Sequence, residues 1–96
     1  MLNNPSPGFY ALSGKLDIQN TRLLKDLMAL EDQQHVELDC SQLESADSVL
    51  LAAVLHLAKS IEKNNGTFKL LNFPHKLSSL ATTYGIDTLI DEYCEE

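Results

Sequence analysis

The run from Asp39 to Leu57 constrains this chain more than any other stretch: Asp-Cys-Ser-Gln-Leu-Glu-Ser-Ala-Asp-Ser, then Val-Leu-Leu-Ala-Ala-Val-Leu-His-Leu. Just before and into it, His35 to Cys40 alternates, with Val36, Leu38 and Cys40 on one side and His35, Glu37 and Asp39 on the other. That period of two is the mark of a half-buried strand. After Leu43 come short polar side chains whose oxygens can accept from the free N–H groups of a first helical turn. From Val49 to Leu57 only His56 is polar. A strand end feeding a helix start in this way puts Asp47 and Ser48 at the open end of a parallel sheet, where such folds meet ligands and partners.

The rest of the chain supplies more units of the same kind. Residues 1–8 hold two prolines, two asparagines and a glycine, and read as a flexible N-terminal lead-in. Phe9–Ser13 reads as a first strand closed by a turn at Gly14. Lys15-Leu-Asp-Ile-Gln connects it to a helix capped by Asn20 or Thr21, with Leu23, Leu24, Leu27, Met28 and Leu30 as its apolar stripe. A second helix runs from Ser48 to Lys63, apolar over much more than one stripe. It is therefore packed on both sides or keeps an exposed apolar patch. Asn64-Asn65-Gly66 stops it. Thr67–Phe73 is the third strand, and Pro74 suits the first turn of a third helix ending at Gly85. Ile86–Ile90 is either a short strand or a final helical turn, and residues 91–96 form an acidic tail. This order predicts one small α/β domain over residues 9–90. Its centre is a mixed, mostly parallel sheet of about four strands with three main helices packed on it.

Composition narrows the function classes. Fourteen acidic against seven basic residues give a net charge of -7, which disfavours nucleic-acid backbones and anionic lipid surfaces as direct partners. No apolar run approaches the roughly 20 residues of a membrane span, so no direct membrane insertion is expected. The N-terminus lacks the basic and apolar regions of a secretory signal. Cys40 and Cys94 read as free thiols of a reducing compartment. A cytoplasmic location follows from these readings.

No constellation for catalysis is legible. Ser48 lacks a Gly-x-Ser-x-Gly elbow, and His56 lies eight residues along the same helix, about 12 Å away. His35, His56 and His75 are isolated and no Cys-x-x-Cys occurs, so no metal is expected. The glycines are scattered without a nucleotide-binding pattern, and no cofactor is expected. Asp47-Ser48 before an apolar helix is ordinary capping on spacing alone. A phosphate on Ser48, however, would meet the positive end of the helix dipole beside an opposing Asp47, and would change a docking surface sharply.

Gly14-Lys-Leu-Asp17, Asp39-Cys-Ser41 with Ala46-Asp47-Ser48, and Phe73 to Ile90 with Leu77, Leu80, Tyr84, Gly85 and Ile86, together resemble the STAS domains. This is the sulfate-transporter and anti-sigma-factor-antagonist family, and the likeness spans roughly residues 9 to 90. Leu55-His-Leu57, the Lys-Asn-Asn-Gly turn and the short length are most similar to the STAS subunit of phospholipid-trafficking ABC transporters. The resemblance implies a non-catalytic interaction module that binds and supports the transporter's ATPase subunit, held at the inner face of the inner membrane through the complex. It makes Ser48 the family's switch hydroxyl, Asp47 its acidic neighbour and Asp17 the acidic loop residue. Docking through the 47–58 helix adds Val49, Leu51 and Ala52 as contact residues. The alternative it implies is an anti-sigma factor antagonist, phosphorylated on Ser48 by an anti-sigma factor kinase. The family often continues Asp-Ser/Thr-x-Gly; Leu50 stands at that glycine position, which favours docking over phosphorylation.

Overall fold

The computed structural model describes residues 1–17 and 19–95. Ile18, in the expected connector, and Glu96, at the end of the expected acidic tail, lie outside the described residues. Five strands stand side by side in chain order: β1 (Leu2–Ser6), β2 (Phe9–Leu16), β3 (His35–Ala46), β4 (Thr67–Leu71) and the two-residue β5 (Cys94–Glu95). β1 runs antiparallel to β2, and every later pairing is parallel. Between them lie α1 (Thr21–Met28), a 3-10 turn (Ala29–Asp32), α2 (Ser48–Lys63), α3 (His75–Thr83) and α4 (Asp87–Asp91). Successive crossovers of one hand in a sheet that grows in one direction bring the helices to one face. The strands carry the same message. Val36, Leu38 and Cys40 are buried while His35 and Glu37 are exposed, and Phe68 and Leu70 are buried between exposed Thr67 and Lys69. A parallel sheet covered on both faces would need apolar residues on both sides. Here one face meets water.

α2 is the centre of the helical layer, touching β3, β4, α1, the 3-10 turn, α3 and α4. Its residues Leu50, Leu51, Ala53, Val54, Leu57, Ala58 and Ile61 are all buried. The breadth of its apolar surface is therefore explained by neighbours on both flanks. Its boundaries match those read from the sequence.

Besides β4, which ends at Leu71 and not at Phe73, four segments differ from the sequence expectation. The lead-in carries a strand: Leu2 pairs with Leu12 and packs against the core, and the Asn4 amide donates to the carbonyls of Ser6 at 2.7 Å and Phe9 at 2.8 Å. Pro5 is tolerated because β1 is an edge strand, where a missing N–H breaks no ladder. Gly14 does not end β2. It sits within the strand at φ 88°, beside a register shift between Gly14 and Lys15, and the strand runs on to Leu16. β3 is correspondingly longer than its alternating part, because Lys15 and Leu16 pair with Ser45 and Ala46. The polar stretch after Leu43 is strand up to Ala46, and only Asp47 separates it from α2.

The fourth difference is the C-terminus. Ile86–Ile90 takes the second of its two expected forms, the helical turn α4, whereas Cys94–Glu95 in the expected acidic tail pairs as a strand with Leu70–Leu71. Tyr93 anchors this closing strand. Its ring meets Phe68 edge-on, with centroids 5.9 Å apart, and its hydroxyl donates to Glu62 Oε1 at 2.5 Å. That bond, with burial and the Glu62 and Glu92 charges added, pushes the Tyr93 phenol up to about 12. A raised phenol pKa contributes stability in full below the ordinary tyrosine value of about 10, and that contribution is lost as pH rises through the folded value. Tyrosinate absorbance of the native chain minus that of Tyr93→Phe is expected to titrate near pH 12. A midpoint at the ordinary value would show that the bond to α2 does not hold in solution.

Candidate functional site

The C-terminal ends of β2, β3 and β4 and the starts of α1, α2 and α3 come together at one end of the molecule. Asp47 is the N-cap of α2: its Oδ1 accepts from the Val49 N–H at 2.9 Å, and its own N–H reaches the Leu16 carbonyl at 3.3 Å. The capping role read from the sequence is thus present, and one carboxylate oxygen is committed to it. Asp17, at the end of β2, is held the same way. Its Oδ1 accepts from the backbone of Gln19 at 3.0 Å and Asn20 at 3.1 Å. Asn20 in turn caps α1, accepting from Leu23 N–H at 3.2 Å, and its amide donates to the Lys15 carbonyl. Both acidic residues therefore shape turns at adjacent strand ends.

Ser48 is the first residue of α2 and is exposed, with no hydrogen-bond partner for its hydroxyl among the described residues. Ala52, one turn on, is also exposed, and Val49 is half-buried. These three form a small surface beside Asp47. Leu51 does not join them. It is 2% exposed and packs in the core, because that side of α2 faces the sheet and its neighbouring helices. As an expected contact residue Leu51 is corrected, since it offers no surface; Asp17 and Val49 are half-buried and Asp47, Ser48 and Ala52 exposed.

A groove that sequence reasoning missed reaches Ala46, two residues before Ser48. It has a volume of about 180 Å³ and is lined by Leu43, Glu44, Ser45 and Ala46 on one side and by Pro74, Lys76 and Leu77 on the other. Its walls are the late part of β3 and the first turn of α3, segments about 30 residues apart in the chain. Only the adjacency of β3 and β4 brings them together. The signal that points to it is the parallel strand–helix order, which puts successive crossover loops at one end of the sheet.

Asp39 and Ser41, the first half of the signature, serve a different contact. Asp39 Oδ1 accepts from the Ser41 N–H at 3.0 Å and from Asn72 Nδ2 at 2.9 Å, and its Oδ2 from the Ser41 hydroxyl at 2.9 Å. The Asn72 bond, helped by both Ser41 donors and opposed by partial burial, holds the Asp39 carboxyl below its ordinary value.

The other reactive side chains lie elsewhere. His56 Nε2 is 3.0 Å from Glu31 Oε2 on the 3-10 turn, both groups half exposed, and His35 Nδ1 is 2.7 Å from Thr67 Oγ1 at the far end of the sheet. The Cys40 thiol is pushed up to about 12, by burial first and then by the Asp39 and Cys94 charges. Cys94 is also raised by burial and by Asp91. Neither is an activated thiolate. Among the described residues no group of three or more His, Cys, Asp or Glu side chains gathers as a metal site, and no helix is long and apolar enough to cross a membrane.

Comparison with known proteins adds to this geometry. Residues 5–91 match the family model described as "Mlab, STAS domain". A search of curated proteins returns no match. The fold is similar to that of the anti-sigma factor antagonist SpoIIAA in its unphosphorylated form, with a TM-score of 0.70 and 17% identity over 99% of this chain and 84% of that one. It is similar too to the Bacillus cell fate determinant SpoIIAA in the phosphorylated form, with a TM-score of 0.68 and 18% identity over 99% and 87% of the two chains. At such identities the likeness is one of fold.

Proposed function

The chain belongs to the STAS domain family of protein-interaction modules, and from that premise we propose that it is an MlaB-like, non-catalytic subunit of a phospholipid ABC transporter. In this reading it docks on the transporter's ATPase subunit in the cytoplasm, at the inner face of the inner membrane. The observation that carries the docking surface is the state of Ser48. Its hydroxyl stands exposed at the first position of a 16-residue helix, while one oxygen of the neighbouring Asp47 carboxylate is committed to the cap. A small side chain there, followed by Ala52, lets a partner backbone approach closely. The helix beneath is held rigidly by the core, which limits the ordering cost of binding. The description of the matching family supports the choice of partner. The test is affinity purification of the tagged chain from its native cells with identification by mass spectrometry. An ABC ATPase together with its permease is the expected catch, and recovery of an anti-sigma kinase in their place would overturn the reading.

That second outcome is the alternative function, an anti-sigma factor antagonist switched at Ser48. It is favoured by the same exposed hydroxyl at a helix N-terminus and by the similarity to a fold solved in a phosphorylated form. Against it stands Asp47, whose charge opposes an added phosphate. Leu50, where the family often has glycine, is 0% exposed and fills the core at the helix start. Incubation with ATP and the cognate kinase decides the matter by the presence or absence of phosphate on Ser48.

A further inference from the structure

Asp39 belongs to the sequence signature, yet it touches neither the cap of α2 nor Ser48. Its partner across the sheet is Asn72, which follows Leu71, the residue paired with Asp39 in the β3–β4 register. Asn72 has φ 53°, a left-handed backbone that asparagine tolerates better than other side chains but that its surroundings must hold. This conformation turns the chain out of β4 and into α3 within three residues. Pro74, the N-cap of α3, then accepts from the N–H groups of Leu77 at 3.0 Å and Ser78 at 3.1 Å. Pro74, Lys76 and Leu77 form one wall of the groove whose other wall, Leu43–Ala46, ends one residue before Asp47. Among the described residues one side-chain bond, from Asn72 to Asp39, thus joins β3 to the bend from which the opposite wall springs.

We propose that Asp39 and Asn72 are positioning residues: their hydrogen bond sets the Asn72–Pro74 bend and, through it, the distance of the first turn of α3 from the Ser48 end of β3 and α2. The consequence for partner binding rests on the Ser48 face being the docking surface. Ser41 completes the arrangement by fixing the Asp39 carboxylate with its N–H and hydroxyl, so that one oxygen is presented to the Asn72 amide. The signature's first half then aligns the site, and its second half forms it.

Asn72→Asp puts a second carboxylate against Asp39 and is expected to open the bend. Amide exchange at Leu77 and Ser78 should quicken about tenfold, and affinity for the purified ATPase subunit should fall about tenfold. The double variant Asp39→Asn/Asn72→Asp rebuilds the bond with donor and acceptor exchanged. With its NH2 group at the Oδ1 position, the amide introduced on β3 faces the carboxylate introduced at the bend. It keeps its carbonyl oxygen at the Oδ2 position to accept from the Ser41 hydroxyl and gives up only the Ser41 N–H bond, which Asn72 shares at Oδ1. Both readouts should then return to within about threefold of the native chain, a rescue that general damage to the loop would not show. Native-like exchange in Asn72→Asp, or a double variant as impaired as the single one, would overturn the proposal. Ser48→Arg measured alongside separates the two claims. Binding retained there overturns the docking face, while the exchange rates, which need no partner, still decide the clamp.

Discussion

Gly66→Ala is expected to destabilise the domain by about 3 kcal/mol, the upper end of the usual cost of overpacking a tight site. A Cβ at Gly66 would stand 2.2 Å from the Gln34 carbonyl oxygen and 2.8 Å from Ile61 Cγ2. The first of these is backbone and has nowhere to go. Gln34 immediately precedes β3, its carbonyl accepts from the Thr67 N–H at 2.7 Å, and its side-chain amide donates to the Asn64 carbonyl at 3.0 Å. Gly66 N–H in turn bonds the Ile61 carbonyl at 2.8 Å, closing the end of α2. Relieving the clash therefore means parting the start of β4 from the start of β3 or opening the helix end. For a chain of this size the loss corresponds to a fall of about 15 °C in Tm. In urea the midpoint should drop with an unchanged slope, since the extent of unfolding is the same. Gly85→Ala is the comparison: its Cβ meets nothing within 4 Å, and only the left-handed φ of 75° resists it. That variant should lose about 1 kcal/mol. Equal effects from the two would show that the close approach at Gly66 is not maintained.

Ser48→Arg is the second large effect, on binding rather than folding. Affinity for the ATPase subunit should fall at least about a hundredfold, or about 2.7 kcal/mol, within the range of interface hot spots. A long cationic side chain in place of a small hydroxyl holds a close-packed partner away, and its charge must be desolvated without a matched acceptor. The fold should survive, because residue 48 is exposed and its hydroxyl bonds nothing among the described residues. A positive charge at a helix N-terminus opposes the dipole and costs about 0.3–1 kcal/mol of stability. Lys63→Glu, at the far end of the same helix, is the control and should bind as the native chain does. Titration calorimetry with circular dichroism on each variant separates lost binding from lost fold. Native affinity in Ser48→Arg would move the interface away from this end of the sheet.

These effects fall on residues that were legible to different degrees. Asp47 and the span of α2 were readable because a cap and an apolar run act within a few residues of each other. The facing of α2 was not. A helix apolar on most of its circumference carries no phase, so Leu51 looked like a contact residue until its neighbours were in place and it proved 2% exposed. β1 was hidden by Asn3, Asn4 and Pro5, residues with low strand propensity that an edge strand tolerates. The Asn64-Asn65-Gly66 stop was legible as a stop, but its division of labour was not. Asn65, at φ 62°, takes the left-handed position, and Gly66 is there for the close approach to Gln34.

By itself the sequence determined the local grammar: the alternation of β3, the caps at Asn20 and Asp47, the helix of residues 48–63, and the α/β order that follows from them. These depend on hydrogen bonds and side-chain periods spanning a few residues. The tertiary structure alone decided which side of α2 is buried, that Leu43–Ala46 faces Pro74–Leu77 across a groove, and that Asp39 reaches Asn72. The last two join segments about 30 residues apart, and only the order of strands in the sheet brings them within reach. The first depends on every element packed around α2 at once.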